Sequence, residues 1–432
     1  MSAPTANSRP LNIAIVGAGL GGLSAAIALR RQGHLVKVKF EVAIWDRQYI
    51  FKESFQVFEA SLVNKEIGAA IGVPPNSMRV LEAFGYDQKN LRSCDYRGIV
   101  AYSADGGEGR TMLFKDQAKH YGRQGCLCHR TALHEELKRL ALGEEGTGTP
   151  VQIFLGKEIA NCDPEAGTLT SQAGETYEAD VIIGADGIRS TMRTVVLGSS
   201  VVAPATNICA FRWTVDASKL EGRPELDWVL KDGVTGARLV GEADSGHIFL
   251  YPCQDATLIN VTMMHPDTRD QDKHSWYSRV TREDVLREYK DFGPPFKAFI
   301  ELAEDPINLW QLRAIPLLPT WIKARLALVG DAAHATFPTL GQGAAMAVED
   351  SAALGCMLPY GTKPEEVPSR LAAYQDVRKA RGEFVCIDSL EQITIPSKRG
   401  LFMRSEHMQD MLNGYDGIAV AQEHFHKTFI KF

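Results

Sequence analysis

The segment Leu11 to Gly33, LNIAIVGAGLGGLSAAIALRRQG, constrains the chain more than any other. It opens with the apolar run Ile13 to Val16, which reads as a buried strand. Gly17, Gly19 and Gly22 follow in G-x-G-x-x-G spacing, and an alanine- and leucine-rich segment of helical spacing runs on to Gly33. The glycines alone are a weak signal; strand, turn and helix in that order make a strong one. Gly17 permits a tight turn, Gly19 lets backbone approach a pyrophosphate, and Gly22 lets helix and strand pack closely. The helix N-terminus then faces the negative charge. Dinucleotide binding outweighs an empty glycine turn because the flanking elements are both present.

The 432 residues suffice for two or three domains or one two-lobed enzyme. A net charge of −6 argues against nucleic-acid binding. The eight cysteines are scattered; Cys126 and Cys128 stand too close for a zinc knuckle, so reduced thiols are expected and no metal site. No apolar run approaches the roughly 20 residues of a membrane span. The first ten residues, MSAPTANSRP, hold no apolar signal core. A soluble, cytoplasmic protein is the expectation.

The second strand should end in an acid that holds an adenosine ribose. Two segments compete: Val36 to Glu41, and Val57-Phe58-Glu59. Glu41 has the expected distance from Gly17; Glu59 has the better downstream context and is preferred. Removing Lys39 to Val57 would leave a smooth strand-acid-loop passage. That stretch therefore reads as an insertion, either a translated retained intron or a family-specific hairpin. Further on, Pro74 to Gly85 reads as a helix ending at glycine, and Arg130 to Ala141 as an amphipathic helix. Ala179 to Ile183 is a buried strand running into Gly184-Ala-Asp186-Gly187. Residues 200–320 are mainly strand, with a helical stretch near 281–303. Arg325 to Val329 is the last buried strand; it feeds Gly330 and Asp331, and the loop Pro338 to Gly343 precedes another helix. The remainder is helical.

Three buried strands thus end in glycine with a carboxylate or an open amide nearby. Asp186 and Gly187 can approach a cofactor from a second strand. Asp331 can accept hydrogen bonds from a polyol, and Gly341 and Gly343 offer amides at a helix start.

In GAGLGG at 17–22, GADGIRS at 184–190 and LVGDAAHATFPTLGQGAAMAVEDSAAL at 328–354, the sequence resembles class A FAD-dependent aromatic monooxygenases of the para-hydroxybenzoate or salicylate hydroxylase type, fungal-like in character. The likeness spans nearly the whole chain. It implies an α/β fold with a Rossmann-like FAD-binding lobe, a sheet-rich substrate lobe and a helical C-terminal part. The lobes would occupy residues 11–200, 201–320, 321–358 (a return to the first) and 359–432. FAD would lie across the glycine loop, with Glu59 or Glu41 on the ribose and Arg130 near the phosphates. Asp186 belongs to a motif associated with FAD and NAD(P)H, and Asp331 matches the aspartate on the ribityl chain. The 338–343 loop would reach the isoalloxazine, and Ala70 falls where a family loop approaches FAD. His334 is expected to be structural.

The resemblance also implies the chemistry. Flavin reduced by NADPH or NADH reacts with O2 to a C4a-hydroperoxide, which hydroxylates a small phenolic or salicylate-like substrate. The protein must hold the substrate and exclude water. Arg212, in CAFRWTV, resembles the substrate-facing arginine of fungal relatives, and Tyr251, in HIFLYPC, their partner tyrosine; both are the catalytic candidates. Phe211, Trp213 and Phe249 either line an aromatic pocket or pack in the core. Two alternatives remain: a flavin-dependent epoxidase of secondary metabolism, and an inactive flavin-binding protein disrupted by residues 39–57. The motifs do not choose between NADPH and NADH, nor set an oligomeric state.

Overall fold

A computed structural model describes residues 9–39, 70–154, 159–230, 236–242, 246–269 and 276–430. Glu41, Glu59 and nearly all of the 39–57 segment lie outside the described residues.

The near-continuous apolar runs become a six-stranded sheet, in the order Ile322–Lys323, Leu326–Leu328, Val181–Gly184, Asn12–Val16, Leu35–Lys39, Gln152–Phe154. All neighbours pair in parallel except the first two. Parallel strands covered on both faces need apolar side chains on both faces, which is why VIIG and LAL carry no alternation. The helix Leu20–Arg31 covers one face and packs on the helix Gly343–Met357. Small residues set that approach: a Cβ on Gly355 would stand 3.2 Å from the Ala28 Cβ.

The second lobe is an eight-stranded sheet: Tyr277–Val280, Ile307–Arg313, Ala205–Asp216, Leu258–Pro266, Gly246–Cys253, Gly236–Glu242, Gly98–Tyr102, Arg110–Leu113. Its last two strands come from residues before 201, where the sequence placed the start of this lobe. The weak alternation of residues 91–128 did not reveal which sheet they would join. Along Gly246–Cys253, Ile248 and Leu250 are fully buried in a core with Phe296 and Phe299, from the helical stretch 282–303. His247, Phe249 and Tyr251 point the other way, because side chains alternate along a strand.

A small antiparallel sheet, Ala70–Val73 on Cys126–His129 on Cys94–Asp95, stands between the lobes. The 28-residue helix Val367–Thr394 is the longest element of the helical C-terminal part. No described helix is long and apolar enough to cross a membrane, and no described cluster of His, Cys, Asp or Glu could hold a metal ion.

Candidate active site

The two glycine motifs of the first lobe are built against each other. Gly17 sits at φ +105°, a conformation L side chains rarely adopt, and a Cβ there would collide with the Ala185 carbonyl. Ala185 N donates to Val16 O at 2.8 Å, joining GAGLGG to GADGIRS. A Cβ on Gly22 would collide with the Gly17 carbonyl, so that glycine lets the helix fold back on the strand end. Gly19 differs. It is the residue before the first helix, its backbone is extended, and nothing lies within 4 Å of the Cβ position.

Gly19 borders a cavity of about 1010 Å³ between the lobes. Ala70, Arg130, Gly187, Arg212, Tyr251, Asp331, Gly341 and Gly343 border the same cavity. Thus residues scattered over more than 300 positions converge on one space. Cβ positions on Gly187 and Gly341 are also open. The helices Leu20–Arg31 and Gly343–Met357 both start at the cavity, and neither has a side-chain cap. Their first N–H groups are therefore left for a ligand. Arg130, the first residue of its helix, brings a cation; burial lowers its pKa and Asp331 counteracts. Open glycines, uncapped helix starts, a cation and a carboxylate fit a group with a pyrophosphate and a polyol chain, as FAD has.

Gly19→Ala should leave the apoprotein melting temperature nearly unchanged, because the Cβ meets no atom of the described residues. It should weaken FAD retention by tenfold or more, read by titrating apoprotein with FAD and following flavin fluorescence.

Asp186 does not border the cavity. Its carboxylate accepts from Ser190 Oγ at 2.5 Å, Thr191 Oγ1 at 3.1 Å and Met192 N at 3.0 Å. It braces the start of the helix Thr191–Leu197, whose N-cap is Ser190, and its neighbours Ala185 and Gly187 border the cavity. The sequence pointed to this acid as a cofactor contact; the geometry makes it the brace of the turn.

Ala70 is held from the second lobe. Tyr251 Oη donates to Ala70 O at 2.7 Å, and Ala70 N donates to Asn260 Oδ1 at 2.9 Å. Tyr251 and Asn260 are directly opposite on neighbouring strands, so one cross-strand pair grips both ends of this residue. Tyr251 is buried, and that burial pushes its pKa far up. Its proton is engaged at Ala70, so toward the cavity it offers oxygen lone pairs.

Arg212 lies two strands away, in register with Thr262 and, through it, Phe249. Its Nε is buried with no hydrogen-bond partner among the described residues. Burial lowers its pKa, Tyr251 opposes that, and Arg130 adds repulsion. A buried cation so placed needs an anion to complete it. Around it the cavity wall is apolar, with Ile99, Met112, Leu239, Phe249 and Met264. Of the three aromatic candidates, only Phe249 lies on this wall; Phe211 and Trp213 pack toward the second core.

Beneath the cofactor side lies a buried ionic network. Arg378 meets Glu349 at 2.7 Å and Asp350 at 2.9 Å, all three fully buried. Asp350 Oδ2 accepts from Gly330 N at 3.0 Å and pairs with His334 Nε2 at 2.6 Å. Glu349 accepts from Asn76 Nδ2, which also bonds Gln342 Oε1. His334 is thus a structural member of the network that fixes the Gly330–Asp331 turn and Gln342 before the last glycine helix. Asn76, Asn260 and Arg378 escaped the sequence reading, since none belongs to a local motif. His247 also borders the cavity, and its place in HIFLYPC, four residues before Tyr251, was the signal that could have found it.

A glycine-turned parallel sheet opening onto a cavity floored by a second sheet is the architecture of a two-lobed, dinucleotide-binding oxidoreductase. The chain belongs to the class A FAD-dependent monooxygenases: residues 11–388 match the FAD binding domain family. It is 42% identical over 431 residues to hispidin-3-hydroxylase of Neonothopanus nambi, covering 98% of this chain and 97% of that one. It is 27% identical to salicylate hydroxylase of Pseudomonas putida, covering 87% and 83%. A solved salicylate hydroxylase substrate complex shares the fold with a TM-score of 0.73 at 22% identity, over 96% and 98% of the two chains.

Proposed function

We propose that this enzyme hydroxylates a small phenol at the expense of O2 and NADPH or NADH, in the cytoplasm. The carrying observation is Arg212: a cation with a buried, unpartnered Nε in an apolar cavity, beside a tyrosine that presents only lone pairs. The likeness to hispidin-3-hydroxylase and salicylate hydroxylase supports a phenolic substrate, hispidin-like before salicylate-like by degree of identity. FAD, when bound and reduced, supplies the activation of O2. The protein's own residues do the rest. Gly19, Arg130 and the start of the helix Leu20–Arg31 would hold the phosphates, Asp331 would receive the polyol hydroxyls, and the start of the helix Gly343–Met357 would meet the flavin ring. Arg212 binds the substrate hydroxyl as phenolate, which makes the ring electron-rich at its ortho and para carbons. Tyr251 accepts a hydrogen bond from the guanidinium or from a still-protonated hydroxyl. The apolar wall keeps water from the reacting atoms.

The purified protein is expected to be yellow, to bleach anaerobically with NADPH or NADH, and to consume it faster when a phenol is added. The product should carry one more hydroxyl on the ring. An epoxide from an alkene substrate, with no stimulation by phenols, would favour the epoxidase instead. A colourless protein, even after added FAD, would favour a chain disabled through residues 39–57.

A further inference from the structure

The cavity has a second polar station that the hydroxylation reading does not use. His247 stands on the same strand as Tyr251 and, four residues away, on the same face. At about 3.3 Å per residue the two are roughly 13 Å apart. Between them stands Phe249 on the same strand, flanked by Leu239 on one neighbouring strand and Thr262 on the other, all bordering the cavity, while Met264 stands directly opposite His247. The strand is fixed from behind, since Tyr289 Oη donates to Met264 O at 2.8 Å and to His247 O at 3.5 Å.

The His247 ring takes no hydrogen bond or ion pair among the described residues, and it borders the cavity. Burial alone lowers its pKa, to about 4, with no charged neighbour contributing. At neutral pH it is therefore an uncharged imidazole with one donor and one acceptor. Such a group suits a hydroxyl or a carbonyl. A carboxylate would call for a cation, and Arg212 stands two strands over and two residues along.

We infer that His247 is a specificity residue that hydrogen-bonds a neutral hydroxyl or carbonyl on the far end of an elongated substrate whose phenolic end is held by Arg212. The substrate class is then a phenol long enough to reach both groups, whose backbones lie roughly 12 Å apart at about 4.8 Å per strand and about 3.3 Å per residue; a single-ring phenol falls short of that span. This rests on the hydroxylase reading for the identity of the Arg212 end; the far contact follows from the sheet register.

The test uses the FAD-loaded enzyme with para,para′-dihydroxystilbene and para-hydroxystilbene, which differ only in the far hydroxyl. Binding is read by calorimetry without NADPH, and turnover by product formed per NADPH consumed. The wild-type protein should bind the dihydroxy probe about tenfold more tightly, as one buried hydrogen bond allows. His247→Leu should bring that ratio to about one, and His247→Gln should restore part of it. Equal binding of both probes by wild type, or an undiminished ratio in His247→Leu, would overturn the inference. If the ratio behaves as expected but no phenol is hydroxylated, the hydroxylase reading fails and the His247 contact stands.

Discussion

Arg212→Gln is expected to leave a folded, yellow protein whose kcat/KM on a phenolic substrate falls by about 10²- to 10³-fold. A preorganised charge aimed at developing negative charge in a water-poor site contributes on the order of 3–4 kcal/mol. Arg212 fits that description, with its Nε buried and unpartnered and an apolar wall around it. The variant should not be less stable, because removing a buried charge with no ion partner among the described residues relieves a desolvation cost. Its pH profile separates this role from a structural one. In the wild type the guanidinium favours phenolate well below the phenol's own pKa of about 10. In the variant that help is gone, so activity should keep rising with pH toward 10. A flat profile with a uniform loss would assign Arg212 to packing. Arg212→Lys should recover only part, since an ammonium lacks the planar donor fork.

The largest stability effect is expected at Arg378. Arg378→Met leaves Glu349 and Asp350 buried without their shared cation, and breaking a buried pair from one side costs about 3–5 kcal/mol. Denaturant melts followed by tryptophan fluorescence would measure it. Replacing Glu349 and Asp350 by Gln and Asn in the same protein should recover part of the loss. FAD retention should fall too, because Asp350 holds Gly330 N and Glu349 reaches Gln342 through Asn76.

The same network predicts an acid limb. Burial pushes the Asp350 pKa up, but His334 and Arg378 outweigh it and hold the carboxyl down from an ordinary 3.8 to about 2. A depressed carboxylate pKa stabilises the fold fully above its unfolded value. That contribution, about 2 kcal/mol, should be present above pH 4 and lost as pH falls from 4 to 2. Asp350→Asn should flatten this part of the stability curve.

What could be read from sequence was local. Strand, glycine turn and helix are contiguous at 11–33, so the physics that selects Gly17, Gly19 and Gly22 acts within one short segment. Asp331 and Gly341, which border the cavity, likewise lie close behind the end of a single buried strand. The site as a whole depends on pairings over long separations. Tyr251 and Ala70 meet only because two strands bring the tyrosine beneath a peptide 181 residues earlier. Asn260 joins them through register, which no local pattern states. His247 shares a face with Tyr251 by simple alternation, yet only the sheet's position shows that this face borders the cavity. Asp186 shows the opposite case: it stands out in a local motif, yet its carboxylate turns inward to brace a helix. Arg378 was invisible because its partners are neighbours in space from a different helix.

The parallel pairing of Gly98–Tyr102 with Gly236–Glu242 inside the second lobe's sheet has an evolutionary reach. The substrate-binding half cannot be lifted out as a cassette. A gene cut near residue 200 would separate a sheet from two of its own strands and leave raw edges on both fragments. Exchange of whole lobes between relatives is closed as a route to new substrates. Point changes on the cavity face, as at His247 and Phe249, alter the space beside that shared sheet while the Tyr251–Asn260 grip stays fixed. Divergence in such a lineage is a matter of repainting one wall, with the building left standing.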